Sequence, residues 1–433
     1  MLLSSTILGD LMKYFVRYGE IGIKSRKIRV KFEKKLMENI QAGLDCEFIN
    51  DNGRIILETQ EEDNTVREVL GRVFGIVSYS LIYETVTDKD KIAHLINSTL
   101  SDLIGQGKFN PETQTFAVKC KRVGEHDFSS QEMAGYVGSV VIEQFDAKVN
   151  LSNPDFRIYI EVREDKTFIY FDKIKGLGGL PVGCQGRVVC LISGGIDSPV
   201  AAFQMLKRGC SVILLHCDNA PYGQGTVEKV LKNAENLRRY SLGEEIKVYS
   251  IKYGKYLEYV QKQAPQRMTC VLCKSGMYQS AEILAKKEKA TAIVDGSSIG
   301  QVASQTLDNI NASRYHCNLP IFSPLISLDK LEIESIAKKI GTYDTSIIPD
   351  GGCAAVPKYP ETHADLKLTK KIIEKINQKE FLKQVSSSIQ RIDIWWWDND
   401  RCNYCGSRNW WIKCCKRTVQ ESWCQHKNNR KRS

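Results

Sequence analysis

The residues whose types and spacing point most clearly to a binding site form a short loop, Ser193-Gly194-Gly195-Ile196-Asp197-Ser198. An apolar run at 187–193 predicts a buried strand that leads into the loop, and 198–208 predicts a helix that follows it. Glycines let backbone N–H groups close around an anion, and the serine hydroxyls and the helix N-terminus add further donors. The loop therefore predicts a phosphate-binding site. It is not of the Walker A type, because the chain contains neither GxxxxGKS nor GxxxxGKT.

Four apolar runs must position this loop, and they alternate with predicted helices. Continuous apolar strands are typical of a parallel sheet covered on both faces, which indicates a doubly wound α/β domain. Ligands of such sheets bind outside the carboxyl ends of the strands. His216 and Gly296 lie at the ends of two of the runs, so both are expected beside the loop. The runs are 187–193, 211–217, 246–251 and 291–296.

The first 175 residues have a different pattern, in which apolar and polar side chains alternate along short strands. The segments 13–19 and 157–172 show this alternation, and a predicted helix from Ser25 has apolar residues at every fourth position. These features predict α+β structure. The glycine-rich segment 176–186 is typical of a linker, here leading to the α/β domain.

Cysteines offer a second kind of chemistry. Cys270 and Cys273 form a C-x-x-C pair, a spacing that can close on one metal ion or cluster, although buried pairs and redox dithiols share it. The opening residues MLLSSTILGDLMKYF lack the features of a secretory signal, and no apolar run is long enough to cross a bilayer. The 15 cysteines therefore indicate thiol or metal chemistry in a reducing cytoplasm.

The loop SGGIDS resembles the PP-loop of the ATP pyrophosphatases, which cleave ATP between the α and β phosphates. The segment 295–307, DGSSIGQVASQTL, is similar to a signature of tRNA 4-thiouridine synthetase (tRNA sulfurtransferase, the ThiI family), and YFVRYGEIGIKS is similar to that family's N-terminal region. The resemblance covers roughly residues 12–390. It implies a ferredoxin-like domain (1–75), a THUMP RNA-binding domain (76–175), a linker (176–186) and a PP-loop ATP pyrophosphatase domain (187–385). A change of composition marks the rest as a Trp- and Cys-rich basic tail (386–433).

The resemblance also implies which residues meet the nucleotide. ATP is expected on the PP-loop together with Mg²⁺, and Asp197 is expected to assist catalysis at the metal or the pyrophosphate. Lys274 would supply a point charge for phosphate, although a lysine at a helix start is more often a solvated surface residue. The implied ATP contacts are Leu191, Ile192, Ser193, Gly194, Gly195, Asp197, Ser198, His216, Cys217, Lys274, Gly296 and Gln305.

The expected sulfur route lies inside the PP-loop domain. The residues that follow a helix predicted over 366–384 are too few for the rhodanese domain that many bacterial members append. Cys353 falls where the family keeps a cysteine. With Cys270 and Cys273 it suits a 4Fe–4S cluster with one open iron, as in methanogen-type members. Zinc is the second choice, because sequence does not distinguish the metals that prefer thiolates. A Cys353 persulfide resolved by the C-x-x-C pair is a third route.

The residues themselves give weaker evidence for RNA binding than for ATP binding. Lys119, Lys121 and Arg122 form a basic edge, but such runs usually belong to a solvated face. The tail carries most of the net charge of +10, so the body of the chain does not demand nucleic acid. The THUMP resemblance moves the expectation to tRNA, held through phosphate contacts and recognised by shape.

These features predict an ATP-dependent tRNA sulfurtransferase that adenylates C4 of uridine 8 and converts it to 4-thiouridine, with sulfur supply for thiamine thiazole synthesis as a secondary role. One alternative is a tRNA-binding chaperone or scaffold with a vestigial ATP site, against which the intact SGGIDS loop counts. Another is a PP-loop ligase of a small metabolite, against which the two N-terminal domains count. The protein is expected in the cytoplasm. Sulfide or a cysteine desulfurase is the expected sulfur donor, and a homodimer is the oligomeric state considered. The tail, which holds all six Trp, is expected to be ill-ordered or an unrelated extension, ahead of a zinc module.

Overall fold

The computed structural model describes residues 11–51, 54–223, 226–349 and 351–393. Contacts divide the chain into two compact units. The first unit consists of the described residues within the segments Met1–Gly19, Leu44–Gly71 and Ile76–Gly178. The second unit consists of the described residues within Glu20–Gly43, Arg72–Gly75 and Gly179–Ser433.

Short strands and helices alternate along the first 178 residues. They are β1 (Met12–Tyr18), α1 (Arg26–Gln41), β2 (Glu47–Asp51), β3 (Arg54–Thr59), α2 (Asp63–Leu70), β4 (Ile76–Val86), α3 (Lys89–Gly105), β5 (Thr115–Arg122), α4 (Ser130–Phe145), β6 (Lys148–Val149), β7 (Phe156–Val162), β8 (Lys166–Tyr170) and β9 (Ile174–Lys175). In the described part of the first unit, these strands form one sheet in the order β2-β3-β1-β4-β8-β7-β5-β6, and β9 also pairs with β4. β5 runs parallel to β6 and β7, and the other pairs are antiparallel.

The sheet of the first unit is strongly curled. Arg54 on β3 and Glu161 on β7 form an ion pair with 3.1 Å between Nη2 and Oε2. Four strand spacings separate β3 from β7 in the sheet order, which would place the two residues roughly 19 Å apart in a flat sheet. The ion pair therefore requires the two halves of the sheet to face each other. Phe15 and Phe168 are buried between them, with ring centroids 5.0 Å apart.

Helices α3 and α4 cover the part of this sheet that contains β5, β7 and β8. Apolar side chains such as Ile96, Val137 and Ile160 form the core between them. Helix α4 begins with a capping box, in which the Glu132 N–H donates to Ser129 Oγ and the Ser129 N–H donates to the Glu132 carboxylate. The alternating pattern predicted for this region is confirmed as α+β structure.

Helix α1 belongs by its contacts to the second unit, although strands of the first unit precede and follow it in the chain. Lys35 Nζ lies 2.7 Å from Glu244 Oε1, and Asn39 Nδ2 donates to the carbonyl oxygen of Val182 at 3.1 Å. These contacts join residues more than 140 positions apart. The sequence places a domain boundary at residue 75, whereas α1, which precedes that boundary, belongs by its contacts to the second unit.

The second unit is a parallel α/β structure. Its further elements are β10 (Arg187–Ile192), α5 (Asp197–Lys207), β11 (Ser211–Asp218), α6 (Thr226–Arg238), β12 (Lys247–Lys252), α7 (Gly254–Gln263), α8 (Thr269–Glu288), β13 (Ala292–Val294), α9 (Leu307–Arg314), β14 (Ile321–Phe322), α10 (Lys330–Ile340), α11 (Tyr343–Ser346), α12 (Leu366–Lys375), α13 (Gln378–Ser386) and β15 (Gln390–Ile392). Its strands lie in the order β14-β13-β10-β11-β12-β15 among the described residues. All neighbouring pairs are parallel except β12 with β15.

The two faces of this sheet carry different side chains. Val189, Leu215 and Ile251 belong to a core that also includes buried residues of α7, α8, α12 and α13. Side chains at alternate positions, such as His216, point to the opposite face, where α5 and α6 contact the strands. The chain leaves β10 toward β11 and later returns to β13 on the other side of β10, so the order reverses at β10. A ligand is expected at this reversal, outside the carboxyl ends of the strands.

Two stretches near the end of the described chain differ from the sequence interpretation. The single helix expected over 366–384 is wrong, because Asn377 adopts a left-handed conformation (φ 45°) between α12 and α13. Asparagine is one of the few non-glycine residues that tolerates this region. The expected tail begins at Ser386, which ends α13, and β15 follows it. The rest of the tail, 394–433, lies outside the described residues.

None of the helices in the described residues is both long and apolar enough to cross a membrane.

Candidate active site

The loop that the sequence predicts to bind phosphate lies between β10 and α5, as expected. Its two serines close it, because Ser193 N donates to Ser198 Oγ at 2.8 Å and the two hydroxyl oxygens lie 3.0 Å apart. Gly195 N donates to Ser193 Oγ at 3.3 Å. Helix α5 begins at Asp197, and the residue before it, Ile196, has no side-chain acceptor that could cap the first turn. The first backbone N–H groups of α5 are therefore suited to an anion.

Two further strand ends meet this loop. A Cβ atom built on Gly296 would lie 3.0 Å from Ser198 N, so the backbone after β13 packs directly on the first turn of α5. The imidazole of His216 lies near the loop. Its Nδ1 is 3.2 Å from the carbonyl oxygen of Ile192, and its Nε2 is 3.2 Å from Thr226 Oγ1. Burial lowers the pKa of His216, which favours a neutral imidazole at pH 7. The predicted meeting of His216 and Gly296 at the loop is found in the structure.

Lys274 is half-buried in α8 rather than fully solvated. Its Nζ donates to Ser297 Oγ at 2.8 Å, and Ser297 Oγ donates to the carboxylate of Asp295 at 2.8 Å. Burial lowers the pKa of Lys274, against the opposing charge of Asp295. Burial alone would raise the pKa of Asp295, but the charge of Lys274 and several hydrogen bonds outweigh it and lower that pKa. Lys274 therefore reaches the segment that also carries Gly296, beside the PP-loop.

Gln305 holds the same segment from its other end. Its Oε1 accepts a hydrogen bond from Ser298 N at 3.1 Å. Gly296, Ser297 and Ser298 are thus fixed by α5, Lys274 and Gln305 respectively. Most of the residues that the resemblance implied as ATP contacts meet around the carboxyl ends of β10, β11 and β13. Leu191 and Cys217 instead pack in the core on the sheet face opposite His216.

A cleft of about 380 Å³ opens at the PP-loop. Asp197 lines it, and burial raises the pKa of this carboxylate, against a hydrogen bond from Gln301 and the charge of Lys330. Sequence reasoning missed several of the other lining residues. They are Lys229, Lys330, Glu334 and the segment from Ser346 to Pro349.

The three cysteines of the expected sulfur route lie near one another. Cys270 and Cys273 occupy the first turn of α8, and Cys273 and Cys353 both pack against the core of the second unit. Burial raises the pKa of Cys270, and nearby Cys353 adds to this; for Cys273, burial is again the main cause, and Cys217, Cys270 and Cys353 all contribute. In the described chain, however, no three His, Cys, Asp or Glu side chains converge as ligands of one metal ion.

The donor chemistry at these cysteines suits a group that prefers thiolate ligands. Three neighbouring thiols are the ligands that iron–sulfur clusters and other thiophilic metals use. In a cluster, each thiolate binds a different iron, so the sulfurs need not converge on one point as they must around zinc. Cys270, Cys273 and Cys353 therefore supply donors that suit such a cluster.

Comparison with known proteins gives consistent matches along the chain. A family model described as "Thiamine biosynthesis protein (ThiI)" matches residues 183–378, a THUMP domain model matches 100–172, and a ThiI ferredoxin-like domain model matches 13–80. A "Probable tRNA sulfurtransferase" of Methanobrevibacter smithii is 52% identical over 374 residues, covering 86% of this chain and 98% of the relative. One of the same name from Methanothermobacter thermautotrophicus is 50% identical, covering 85% and 95%.

This chain belongs to the ThiI family. The fold agrees with that assignment, since a crystal structure of a 4-thiouridine synthetase–RNA complex with bound ATP matches with a TM-score of 0.81 and 31% sequence identity. The match covers 88% of this chain and 99% of that one. The expected fold class, with ferredoxin-like and THUMP domains before a PP-loop domain, is confirmed.

The THUMP match of this ThiI family member includes the basic strand β5. Lys119 and Lys121 are exposed on one face of β5, whereas Val118 and Cys120 pack against the core beneath α4. Arg122 behaves differently, because its Nη1 donates to the carbonyl oxygen of His126 at 3.0 Å. The structure therefore places two of the three predicted RNA contacts side by side and gives the third a structural hydrogen bond.

Proposed function

We propose that this chain is an ATP-dependent tRNA sulfurtransferase that adenylates C4 of uridine 8 in tRNA and replaces its oxygen with sulfur to give 4-thiouridine. The observation that carries the proposal is a closed PP-loop at the strand reversal of a fold that matches an ATP-bound 4-thiouridine synthetase–RNA complex along nearly its whole length. The curated relatives named probable tRNA sulfurtransferases support the same activity.

The first chemical step joins the uridine oxygen to AMP. The C4 oxygen attacks the α-phosphorus, the bond from the α-phosphorus to the bridging oxygen breaks, and pyrophosphate leaves with the bonding electrons. The backbone N–H groups of the PP-loop and the first turn of α5 stabilise the charge that develops on pyrophosphate. Lys330, which lines the same cleft, adds a positive charge.

Asp197 is the residue to which we assign Mg²⁺. Its carboxylate lines the cleft at the start of α5, and carboxylate oxygen is a ligand that Mg²⁺ prefers. The metal, when bound, neutralises phosphate charge. Most of the other predicted ATP contacts surround the same strand ends, and we assign these to the nucleotide for that reason.

The second step exchanges AMP for sulfur. Sulfur attacks C4 and AMP departs with the C4 oxygen, which adenylation has made a good leaving group. We assign the sulfur-holding role to Cys270, Cys273 and Cys353, with a 4Fe–4S cluster as the group they hold. Such a cluster, when bound, presents the sulfur atom that this step consumes. Sulfide or a cysteine desulfurase as the donor remains a prediction, as do the homodimer, the cytoplasmic location and the secondary supply of thiazole sulfur.

A single-turnover assay tests both steps. The chain is purified without oxygen, its iron, sulfide and zinc are measured, and unmodified tRNA transcript is treated with ATP and sulfide. We expect about four irons per chain and 4-thiouridine that forms only with ATP. Cys270→Ala, Cys273→Ala and Cys353→Ala should each abolish thiolation while ATP-dependent transfer of AMP to tRNA persists. Cys317→Ala is the matched control, since this partly buried thiol packs against the same core.

The outcomes separate the two assignments. Full thiolation by all three cysteine variants would show that the thiols do not hold the sulfur, without affecting the adenylation proposal. Absence of ATP-dependent AMP transfer by the unmodified chain would contradict the function itself.

Lys119 and Lys121 are the residues we assign to tRNA phosphates. Both are exposed on β5, and among the described residues neither forms an ion pair with a carboxylate. Replacing both with Ala should weaken tRNA binding and reduce the slope of log affinity against log salt by roughly 1–2. An unchanged slope would show that they do not contact phosphate.

A further inference from the structure

Lys229 has a buried ammonium at the PP-loop cleft that the sequence did not single out. The residue lies in the first turns of α6, and only 6% of its surface is exposed. Its aliphatic stem crosses Gly194, where a Cβ atom would lie within 3.1–3.2 Å of Lys229 Cβ, Cδ and Cε. A side chain on Gly194 would therefore force the lysine stem to shift by a few tenths of an ångström.

The ammonium of Lys229 is oriented by a backbone carbonyl. Its Nζ donates to the carbonyl oxygen of Ile348 at 2.7 Å. Ile348 belongs to the segment after α11, and this segment forms one wall of the cleft. Because a lysine chain has four rotatable bonds and costs entropy to order, a stem packed on Gly194 and a fixed acceptor together define where the charge lies.

The same segment is tied to α6 and to the PP-loop at a second point. Asn233, one turn after Lys229 in α6, donates from Nδ2 to Ser346 Oγ at 3.2 Å. Ser346 Oγ in turn donates to the carbonyl oxygen of Gly195 at 3.3 Å. Helix α6, the segment 346–348 and the loop thus form a closed set of contacts around the Lys229 ammonium.

Charge and position indicate a phosphate as the partner of Lys229. The cleft is lined by the PP-loop glycine Gly195, by the start of α5 with Asp197, by Lys330 as a second cation, and by Glu334. A point positive charge suits a non-bridging phosphate oxygen, whereas the base and ribose of a nucleotide offer no anion. In the adenylation step, the species left beside the loop is pyrophosphate.

We propose that Lys229 contacts the pyrophosphate part of ATP and stabilises it as it leaves, with the Ile348 carbonyl and Gly194 as the groups that position it. The assignment rests on the proposed function. It predicts that Lys229 discriminates between ligands that carry the β and γ phosphates and AMP, which lacks them.

The test compares Lys229→Met with Lys232→Met, which removes an exposed lysine from the same helix. Dissociation constants for inorganic pyrophosphate and for AMP are measured by calorimetry on the full chain, and thiolation is followed at several ATP concentrations. For Lys229→Met we expect pyrophosphate affinity and kcat/KM for ATP to fall about 10- to 100-fold. AMP affinity should stay within twofold, and Lys232→Met should match the unmodified chain in all three.

Each outcome decides between the assignments. Equal losses of AMP and pyrophosphate affinity, or no loss of either, would overturn the role of Lys229. If Lys229→Met does not fold, the same measurements are made on Lys229→Gln, because the glutamine side chain ends in a polar group without a charge. If the unmodified chain neither binds pyrophosphate nor uses ATP, the proposed function fails instead.

Discussion

Asp295 carries a buried negative charge that hydrogen bonds and cations satisfy. Only 4% of its surface is exposed. Its partners are the hydroxyls of Tyr278, Ser297 and Ser323 and the guanidinium of Arg314. Because Ser297 also accepts a hydrogen bond from Lys274, loss of the charge would disturb a residue that we assign to ATP as well as the fold.

We expect Asp295→Asn to lower the free energy of unfolding by about 3 kcal/mol at pH 7, since it removes one partner of a buried charge network. The folded-state pKa of Asp295 is lowered, so the stabilisation is complete above the ordinary aspartate value near 3.8 and is lost as the pH falls through the lower folded value. The gap between the two proteins should therefore be constant from pH 7 to about 5 and close below about pH 4. Calorimetric melting from pH 3 to 7 measures it.

The control for this prediction is Asp127→Asn, at an exposed aspartate. It should change the melting temperature little at any of these pH values. A gap for Asp295→Asn that persists unchanged at pH 3 would mean that the amide disturbs packing and that charge is not the cause.

Gly296 allows the backbone after β13 to lie against the start of α5. A methyl group there would meet backbone atoms, 3.0 Å from Ser198 N and 3.1 Å from the carbonyl carbon of Asp197. At Gly195, the nearest neighbour of a new methyl group is the Ser193 hydroxyl at 3.5 Å, an ordinary contact. We therefore expect Gly296→Ala to destabilise the second unit by about 1–3 kcal/mol and Gly195→Ala to leave its stability nearly unchanged. Equal melting temperatures for the two variants would contradict this packing.

Among the elements, helix α8 depends on a glycine in its interior. Tyr253 and Tyr256 are buried, and their hydroxyls donate to the carbonyl oxygens of Cys273 and Leu272 at 2.6 and 3.0 Å. A Cβ on Gly276 would overlap the Tyr253 hydroxyl and lie 2.6 Å from Tyr256 Cε1. The two tyrosines therefore reach the turn that carries the C-x-x-C pair only because residue 276 has no side chain.

Gly276→Ala should destabilise the second unit by about 1–3 kcal/mol, although alanine is the better helix former. Gly135 in α4 is the matched control, because it is exposed and no atom lies within 4 Å of its added methyl group. Gly135→Ala should stabilise the first unit by about 0.5–1 kcal/mol. Differential scanning calorimetry measures both, and a stabilising effect at both positions would show that the tyrosines yield without cost.

The elements also show which features the sequence reveals and which it does not. The strands β10 and β11 were predicted to within one residue, because burial on both faces leaves a continuous apolar run. The PP-loop was predicted because its glycines and serines follow β10 directly. The wall formed by 346–348 was not, because its contacts with Asn233 and Gly195 join residues more than 110 positions apart. Lys229 was missed for the same reason, since only the fold brings Ile348 to it.

In the whole molecule, β15 extends the parallel sheet of the second unit by one antiparallel strand. Gln390, Arg391 and Ile392 pair with Ser250, Tyr249 and Val248 of β12. Lys252 N also donates to Ser388 Oγ at 3.1 Å. These residues cover β12, which would otherwise be an edge strand with unpaired backbone groups.

Two truncations that differ by eight residues separate the contribution of β15 from that of the residues beyond it. A chain that ends at Asp393 keeps β15, and we expect its melting temperature and thiolation rate to stay within error of those of the full chain. A chain that ends at Val385 exposes β12, and we expect it to melt several degrees lower and to aggregate at concentrations that the longer form tolerates. Calorimetry, light scattering and the single-turnover assay measure these effects. Loss of thiolation or of tRNA affinity in the chain that ends at Asp393 would show that residues 394–433 act in the reaction. Equal melting temperatures and equal aggregation of the two truncated chains would show that β15 adds no stability to the sheet.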